Sequence, residues 1–359
     1  MFFLLILCGV VSTLAAGVLI RSGRRSAERY ALDMPQRFHA GHVPRLGGVA
    51  MLAACSCGWF WMVIAQPHLG VTNGIDFSPR EALAWCVAAS IAAGGGTAED
   101  VWHFLRARWR LIFTLVAGIV SIVLLQLRVP ALGIEALDAF WTATPWLGIG
   151  LALVAVAGLP HAFNLIDGYN GLAGAVAMIC CLALAYVALP VGDGQIAAVV
   201  LVLAGATAGF LMWNYPRGLI FAGDGGAYLW GVVIAMASIL LVQRHPEVSP
   251  WFPILLLSYP VLETAFSVYR KVVRGQSPSM ADALHLHQLV YRRIVREVFH
   301  DDEARRMLMR NNRTSPYLWA FCMLTVVPAA LFWRQTGVLM MLSLGFVILY
   351  VWAYTSIIR

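Results

Sequence analysis

The sequence predicts an all-α, polytopic integral membrane protein with about eleven transmembrane helices, its N-terminus outside and its C-terminus in the cytoplasm. Hydrophobic residues make up 60% of the 359 residues and charged residues only 12%, whereas a soluble domain carries about 25% charged residues. Apolar runs long enough to cross a bilayer also recur along the whole chain. We therefore expect one membrane domain over residues 1–359, with its largest cytoplasmic loop at about 270–316.

Each expected helix corresponds to one apolar run. The first run resembles a signal peptide in its apolar core, but it lacks a basic start and a small-x-small cleavage site, so we interpret it as a retained anchor. The fifth is short and starts at a proline, and the last two are separated only by "RQ". The runs are 2–20, 44–65, 80–97, 111–127, 145–160, 171–190, 195–213, 226–243, 250–269, 317–333 and 335–357.

The orientation follows from the basic residues. With the N-terminus outside, 21 of the 25 Lys and Arg residues fall in inner loops, which is strong positive-inside asymmetry. The net charge of +7 thus indicates cytoplasmic loops beside anionic lipid, and no nucleic-acid-binding motif is present. The seven cysteines lie in or beside apolar runs without metal-ligand spacing, so we interpret them as small packing residues.

All chemically rich segments fall on the inner side in this topology, while the outer loops look like plain connectors. Taken alone, an acid in such a loop is usually solvated, and a glycine between helices is usually a cap or turn. Asp100, Asp167 and Asp224, however, come from three different loops on one side, each at a helix end. Acids at the edge of a membrane tend to be functional, and carboxylates near Arg and His suit a divalent cation and phosphates.

Five motifs carry a resemblance over nearly the whole chain. "NLIDGYNGLAG" is similar to the NxxDGxDGLA segment of the polyprenyl-phosphate N-acetylhexosamine-1-phosphate transferase superfamily, glycosyltransferase family 4. In the same order, "DMPQRFHAGHVPRLGG", "AEDVWHFLRARWRL", "FAGDGGA" and "RGQSPSMADALHLHQL" resemble further family segments. Each motif alone is a weak signal, but five in order on one predicted face are jointly specific.

The resemblance implies an Mg²⁺-dependent enzyme, with Mn²⁺ as an alternative ion. A polyprenyl phosphate, undecaprenyl phosphate in bacteria, attacks the β-phosphate of a UDP-sugar, and UMP leaves. The family pattern makes Asp224 the metal ligand and places Glu99 and Asp100 at the lipid phosphate. The resemblance also implies catalytic roles for Asp167, His285 and His287. It implies substrate-binding roles for Arg37, His39, Arg45, Asn164, Asn170 and Phe221. Direct attack and a covalent enzyme phosphate both stay open.

This chain differs from the family motifs at five positions. Glu99 stands where the family has the first Asp of its usual pair. Asn170 stands where the family has the second Asp of DGxDG, which removes a charge but keeps a hydrogen-bond acceptor. The others are His161 for Asn, Gln288 for a histidine and Glu263 for Asp. These changes favour an unusual sugar. A catalytically impaired membrane partner of glycan assembly and a secondary transporter are the alternatives.

The resemblance also implies the setting and substrates. "SPSMAD" before "HLHQ" resembles the O-antigen and teichoic-acid branch of lipopolysaccharide and cell-envelope synthesis, which favours UDP-GlcNAc or another UDP-N-acetyl amino sugar over UDP-MurNAc-pentapeptide. The partners are then this donor, undecaprenyl phosphate and the lipid bilayer, with no nucleic acid, and a homodimer is left open. The expected location is the bacterial inner membrane, multi-pass, with the active site on the cytoplasmic face.

Overall fold

Helices form every regular element in the part of the chain that the computed structural model describes. That part comprises residues 1–22, 43–68, 75–103, 105–277, 284–296, 298 and 300–358. The α-helices are α1 Phe2–Ser22, α2 Gly47–His68, α3 Pro79–Trp102, α4 Ala107–Leu125, α5 Glu135–Ala143, α6 Pro145–Ile166, α7 Leu172–Ala188, α8 Gly194–Asn214, α9 Gly223–Arg244, α10 Trp251–Leu256, α11 Ser258–Val273, α12 Leu286–Leu289, α13 Glu303–Leu331 and α14 Thr336–Ile358, and a π-helix, Val290–Ile294, directly follows α12. The predicted all-α, polytopic membrane fold is confirmed.

Eight helices in the described ranges are long and apolar enough to cross a membrane. They are α1, α2, α4, α6, α8, α9, α13 and α14. The run predicted at 171–190 forms the shorter apolar helix α7, and α3 contains a stretch of three glycines and Thr97 that lowers its apolar content. The total of eleven spans and their orientation remain predictions.

Two predicted runs differ from the observed helices. The run at 250–269 is broken at Leu257 into α10 and α11, because Pro260 has no N–H to donate to a carbonyl one turn earlier. The helix predicted to start at 317 begins instead at Glu303, so the expected 270–316 loop ends in a helix over residues 303–316. Asp302 caps this helix by accepting a hydrogen bond from Ala304 N at 2.9 Å, a start signal placed well before the apolar run.

The centre of the bundle is α9, whose residues from Gly223 to Val242 are all buried. It contacts α2, α3, α6 and α8, among others, so its first turn is held from several sides. At the side of the bundle, α1 packs closely on α8 because Gly205 and Gly209 have no side chains. A Cβ at Gly205 would collide with the backbone of Leu5, and a Cβ at Gly209 with the backbone of Gly9. Such contacts between small residues are the usual packing of helices in lipid.

A second polar cluster ties the other ends of α3, α8 and α9 together. Arg244 pairs with Asp193 at 3.4 Å and with Glu81 at 3.3 Å, and His245 Nε2 lies 3.0 Å from Asp193.

The connection between α4 and α6 is more than the predicted plain connector, because it contains the exposed helix α5. The Trp141 indole anchors α5 by donating to Val129 O at 2.9 Å.

Candidate active site

Asp100 and Asp224 meet where the last turn of α3 reaches the first turn of α9. The Asp100 carboxylate accepts hydrogen bonds from the backbone N–H groups of Asp224 and Gly225, both at 3.0 Å. These N–H groups are among those that a helix leaves unpaired at its N-terminus, where negative charge is favourable. Asp100 is therefore both a cap of α9 and the inner wall of the site, and it is only 6% exposed.

Two arginines neutralise this pair of acids. Arg45 Nε lies 3.0 Å from Asp100 Oδ1, and its Nη2 lies 3.4 Å from Asp224 Oδ1. Arg110, at the start of α4, reaches Asp224 Oδ2 from the other side with its Nη1 at 2.9 Å. We call Arg45, Asp100, Arg110 and Asp224 the acid–arginine cluster. Arg110 was counted only as an inner-loop charge by the sequence reasoning, because a single arginine in a basic loop carries no signal of its own.

Backbone pairing positions Arg45 and Phe221. The Phe221 N–H donates to Pro44 O, and the Gly47 N–H donates to Phe221 O, both at 2.9 Å. These bonds clamp the segment before α2 against the segment before α9, so Arg45 must face the first turn of α9. Phe221 is half-buried at the edge of the cluster.

Gly223 gives the chain room to enter α9 beside Asp100. Its φ of +71° lies in the left-handed region, and a Cβ there would come within 2.3 Å of Asp100 Oδ2. Any other residue would strain the backbone and push the carboxylate away. The glycine before Asp224 in "FAGDGGA" is thus required by geometry.

Asp167 lies at the end of α6, near the acid–arginine cluster. The helix ends at Ile166 and Asp167 is its C-cap, so Asn164, Asp167 and Asn170 do not share one helical face although they are spaced by three residues. Asn164 remains on the last turn, half-buried. Burial raises the pKa of Asp167 to about 7, and the charge of Asp224 adds to this rise while Arg45 opposes it.

Asn170 is held by α13 and points away from solvent. Its backbone N–H donates to Asn311 Oδ1 at 2.8 Å, and its Nδ2 donates to Asn312 Oδ1 at 3.1 Å. Its carbonyl accepts a hydrogen bond from Ser315 Oγ at 2.6 Å, and the residue is 2% exposed. These contacts make Asn170 an anchor between the α6–α7 turn and α13, beside the substrate-binding role that the resemblance implied.

His285 and His287 lie beside the α6–α7 turn. Their rings stack with centroids 5.4 Å apart, and His287 Nε2 is 2.8 Å from where a Cβ on Gly168 would lie. Burial and the neighbouring His285 lower the pKa of His287 to about 3, so this ring is neutral. The side chain of Gln288, the departure at the third position, accepts the His285 backbone N–H at 3.3 Å and so caps α12.

Glu99 binds the backbone of the segment that follows α3, and its charge also lies close enough to act on Arg110 of the acid–arginine cluster. Its Oε2 accepts the Leu105 backbone N–H at 2.7 Å, which closes the turn between α3 and α4. This contact explains how a longer side chain is accommodated beside Asp100. Arg37 and His39 lie outside the described residues, so their assignments stay predictions.

The chemistry of the cluster suits a divalent cation bound together with phosphates. No group of three or more His, Cys, Asp or Glu side chains in the described ranges is arranged to hold a metal alone. Mg²⁺, however, usually takes only one or two carboxylates and completes its shell with water and substrate phosphates. Asp224 fits that use, and Arg45 and Arg110 are the cations that phosphates would attract away from it.

The fold and site define a multi-pass membrane enzyme with carboxylates and guanidinium groups gathered at converging helix ends. The family model described as glycosyl transferase family 4 matches residues 82–242, which include Asp100, Asp167 and Asp224. The match confirms the resemblance predicted from the motifs, to the polyprenyl-phosphate N-acetylhexosamine-1-phosphate transferase superfamily.

Similar proteins cover most of the chain. A probable undecaprenyl-phosphate N-acetylglucosaminyl 1-phosphate transferase of Bacillus subtilis is 28% identical over 282 residues, 77% of this chain and 75% of that protein. A decaprenyl-phosphate N-acetylglucosaminephosphotransferase of Mycobacterium leprae is 25% identical over 303 residues, 77% and 73% of the two chains. An undecaprenyl-phosphate alpha-N-acetylglucosaminyl 1-phosphate transferase of Escherichia coli K12 is 25% identical over 278 residues, 75% and 71%.

Proposed function

We propose that this protein transfers an N-acetylhexosamine-1-phosphate from a UDP-sugar to a polyprenyl phosphate, undecaprenyl phosphate in a bacterial membrane. The observation that carries the proposal is the acid–arginine cluster, in which two buried carboxylates and two arginines converge at the ends of membrane helices. Similar proteins named for this transfer support it.

In the proposed reaction, an oxygen of the lipid phosphate attacks the β-phosphorus of the donor. A new P–O bond forms, and the bond to UMP breaks with its electron pair leaving on UMP. Arg45 and Arg110 are placed to bind the phosphate oxygens, since their present partners are the carboxylates that a phosphate would replace. Asp100 keeps the first turn of α9 in place through its two backbone hydrogen bonds.

Asp224 is the side chain that would hold Mg²⁺. When bound, the ion would neutralise the phosphate charge that opposes attack. The nucleotide and sugar are proposed to bind beside Asn164 and Asp167 at the end of α6, with Phe221, before α9, as a further binding residue. His285 and His287 lie next to that turn and complete the proposed donor site.

The transporter alternative is weakened by the environment of Glu263. This residue was the nearest candidate for a charge on a transport path, but its carboxylate is occupied by His285, Leu286 and Tyr350. A family member without activity would have no need to keep Asp224 between two arginines. We therefore favour the enzyme over both alternatives.

The finer assignments are part of the proposal. The donor is UDP-GlcNAc or a related UDP-N-acetyl amino sugar, and the reaction takes place on the cytoplasmic face of the bacterial inner membrane. The asymmetry of basic residues supports this face. A role in O-antigen or other envelope polysaccharide synthesis follows from the motif resemblance alone.

The test is a transfer assay on purified protein in detergent. Undecaprenyl phosphate, Mg²⁺ and a panel of UDP-N-acetyl amino sugars are supplied, and mass spectrometry identifies the lipid product. We expect UMP release that requires both the lipid phosphate and Mg²⁺. Sugar transport into proteoliposomes without any lipid product would favour the transporter, and no product with any donor would favour the inactive partner.

A further inference from the structure

Glu263 is a buried carboxylate in the middle of a hydrogen-bond set that joins three elements. It lies on α11 and is 1% exposed. Its Oε1 lies 3.1 Å from both His285 Nδ1 and the Leu286 backbone nitrogen, and its Oε2 accepts the Tyr350 hydroxyl of α14 at 2.8 Å. A buried charge of this kind is costly unless it is paired in this way.

The contacts determine which nitrogen of His285 carries the proton. An ionised carboxylate can only accept hydrogen bonds, so His285 Nδ1 must be the donor. In the Nδ1–H tautomer the lone pair is on Nε2, the nitrogen that can accept a hydrogen bond or a proton from a ligand. The Leu286 N–H on the same oxygen fixes the backbone next to the ring, so both the tautomer and the orientation are set.

We propose that Glu263 is a positioning residue that holds His285 with Nε2 available to the donor substrate. The proposal rests on the proposed transfer function, because His285 belongs to the donor site there. The His287 ring stacks on His285 and packs on the α6–α7 turn, so the fixed orientation of His285 also helps to fix the position of His287 beside Asp167. An acid oriented behind a functional histidine is a general device for setting tautomer and basicity.

This role explains why an acid stands on α11 at all. A purely structural link between α11 and α14 would need only the Tyr350 bond, which a neutral acceptor could supply. Oε1 instead accepts from His285 and Leu286, and the negative charge of the carboxylate stabilises the Nδ1–H form of His285. Oε2 therefore links α11 to α14, while Oε1 orients His285.

The experiment compares Glu263→Gln, Glu263→Asp and Tyr350→Phe. Glu263→Gln should lower kcat by about 10- to 100-fold, the usual effect of losing an orienting partner, with a smaller change in KM for the lipid phosphate. Glu263→Asp keeps the charge and should recover most of that loss. Tyr350→Phe is the matched control, since it removes the bond to Oε2 only and should lower the Tm but leave kcat within about threefold.

Two outcomes would overturn the proposal. One is a kcat for Glu263→Gln within threefold of wild type, and the other is a loss of activity in all three variants that merely follows their loss in Tm. A double variant of Glu263→Gln with His285→Asn should be no slower than His285→Asn alone, and additive losses would also contradict it.

A measurement without activity separates this proposal from the transfer function. Hydrogen–deuterium exchange of a peptide containing Leu286 should be faster in Glu263→Ala than in wild type, because the acceptor of its N–H is gone, and unchanged in Tyr350→Phe. Unchanged exchange in Glu263→Ala would show that Glu263 does not hold the turn. Slow exchange of this peptide in the wild-type protein, together with no transfer by the wild-type protein, would instead count against the proposed function alone.

Discussion

At the scale of single residues, the site depends on how two carboxylates share two arginines. Asp100 accepts backbone hydrogen bonds of α9 with both oxygens, besides its pair with Arg45. Within the described residues, the Asp224 carboxylate pairs with the side chains of Arg45 and Arg110. Side-chain partners can be exchanged for a ligand, but backbone partners cannot be without unwinding the helix. Asp224 is therefore the exchangeable acid and Asp100 the fixed one.

Asp224→Asn should abolish transfer while the protein remains folded, because a neutral amide binds Mg²⁺ far more weakly than a carboxylate. Asp193→Asn is the matched control, since Asp193 is also a buried acid paired with an arginine, at the other end of the bundle. Both variants are assayed for UMP release and for Tm. Activity of Asp224→Asn within about tenfold of wild type would remove Asp224 from the proposed metal site.

Asp167 should make activity depend on pH near neutrality. Its pKa is raised to about 7, so the carboxyl is protonated below that pH and ionised above it. If the ionised form binds the donor, kcat/KM rises through pH 7 in wild type, and this rise is lost in Asp167→Asn. If a donor titration shows unchanged KM, kcat and pH profile for Asp167→Asn, Asp167 does not take part in donor binding and acts only as the C-cap of α6.

The same shift predicts an effect on stability with a definite sign. Between about pH 4 and pH 7 the folded protein keeps the Asp167 proton while the unfolded chain releases it, so this group lowers the free energy of unfolding as the pH rises. The Tm of wild type relative to Asp167→Asn should therefore decrease from pH 5 to pH 7.5. A constant difference would mean that the carboxyl is not shifted.

The placement of Asp100 and Asp224 could be predicted from the sequence because a motif and the topology pointed to the same place, while their roles stay predictions. Asp100 and Asp224 were expected on one side at helix ends, and they contact through the first turn of α9. Arg110 was missed because its role depends on the angle at which α4 approaches α9, which no local pattern contains. The contacts of Asn170 with Asn311 and Asn312 join segments about 140 residues apart along the chain, and no spacing rule reaches that far.

At the scale of helices, the site needs α3 and α9 to be in backbone contact. A Cβ at Gly96 would lie 2.5 Å from the backbone carbon of Asp224, whereas a Cβ at Gly94, two residues earlier on α3, would have nothing within 4 Å. The three consecutive glycines are therefore not equivalent. The sequence predicted the helix, but which glycine is essential depends on which face meets α9.

Gly96→Ala should separate the two helices and reduce transfer by about 100-fold, since a displacement near 1 Å is enough for such a loss. Gly94→Ala is the control within the same helix. It should keep wild-type activity and raise stability by up to about 1 kcal/mol, the helix propensity difference. Equal activity of the two variants would show that the α3–α9 contact does not determine the site geometry.

At the scale of the whole molecule, two polar clusters lie at opposite ends of the same helices. Asp100 and Asp224 are at one end of α3 and α9, and Glu81 and Arg244 are at the other. Helices of 24 and 22 residues are long enough to cross a bilayer at about 1.5 Å per residue, and α9 is also apolar enough to do so. The acid–arginine cluster and the Asp193 cluster must then face opposite sides of the membrane.

The topology prediction places Arg24, His287 and Arg359 in the cytoplasm and Thr72 and Asp193 outside, because 21 of the 25 basic residues fall on the inner side. Arg24, Thr72 and Arg359 lie outside the described residues. His287 and Asp193 are buried, so the exposed residues Arg217 and Glu247 are better probes of the two faces. In a background without the seven native cysteines, Arg217→Cys should react with an impermeant maleimide only after the cells are opened. Glu247→Cys should react in intact cells. The reverse pattern would place the acid–arginine cluster outside, where nucleotide sugars are not supplied, and would overturn the proposed site.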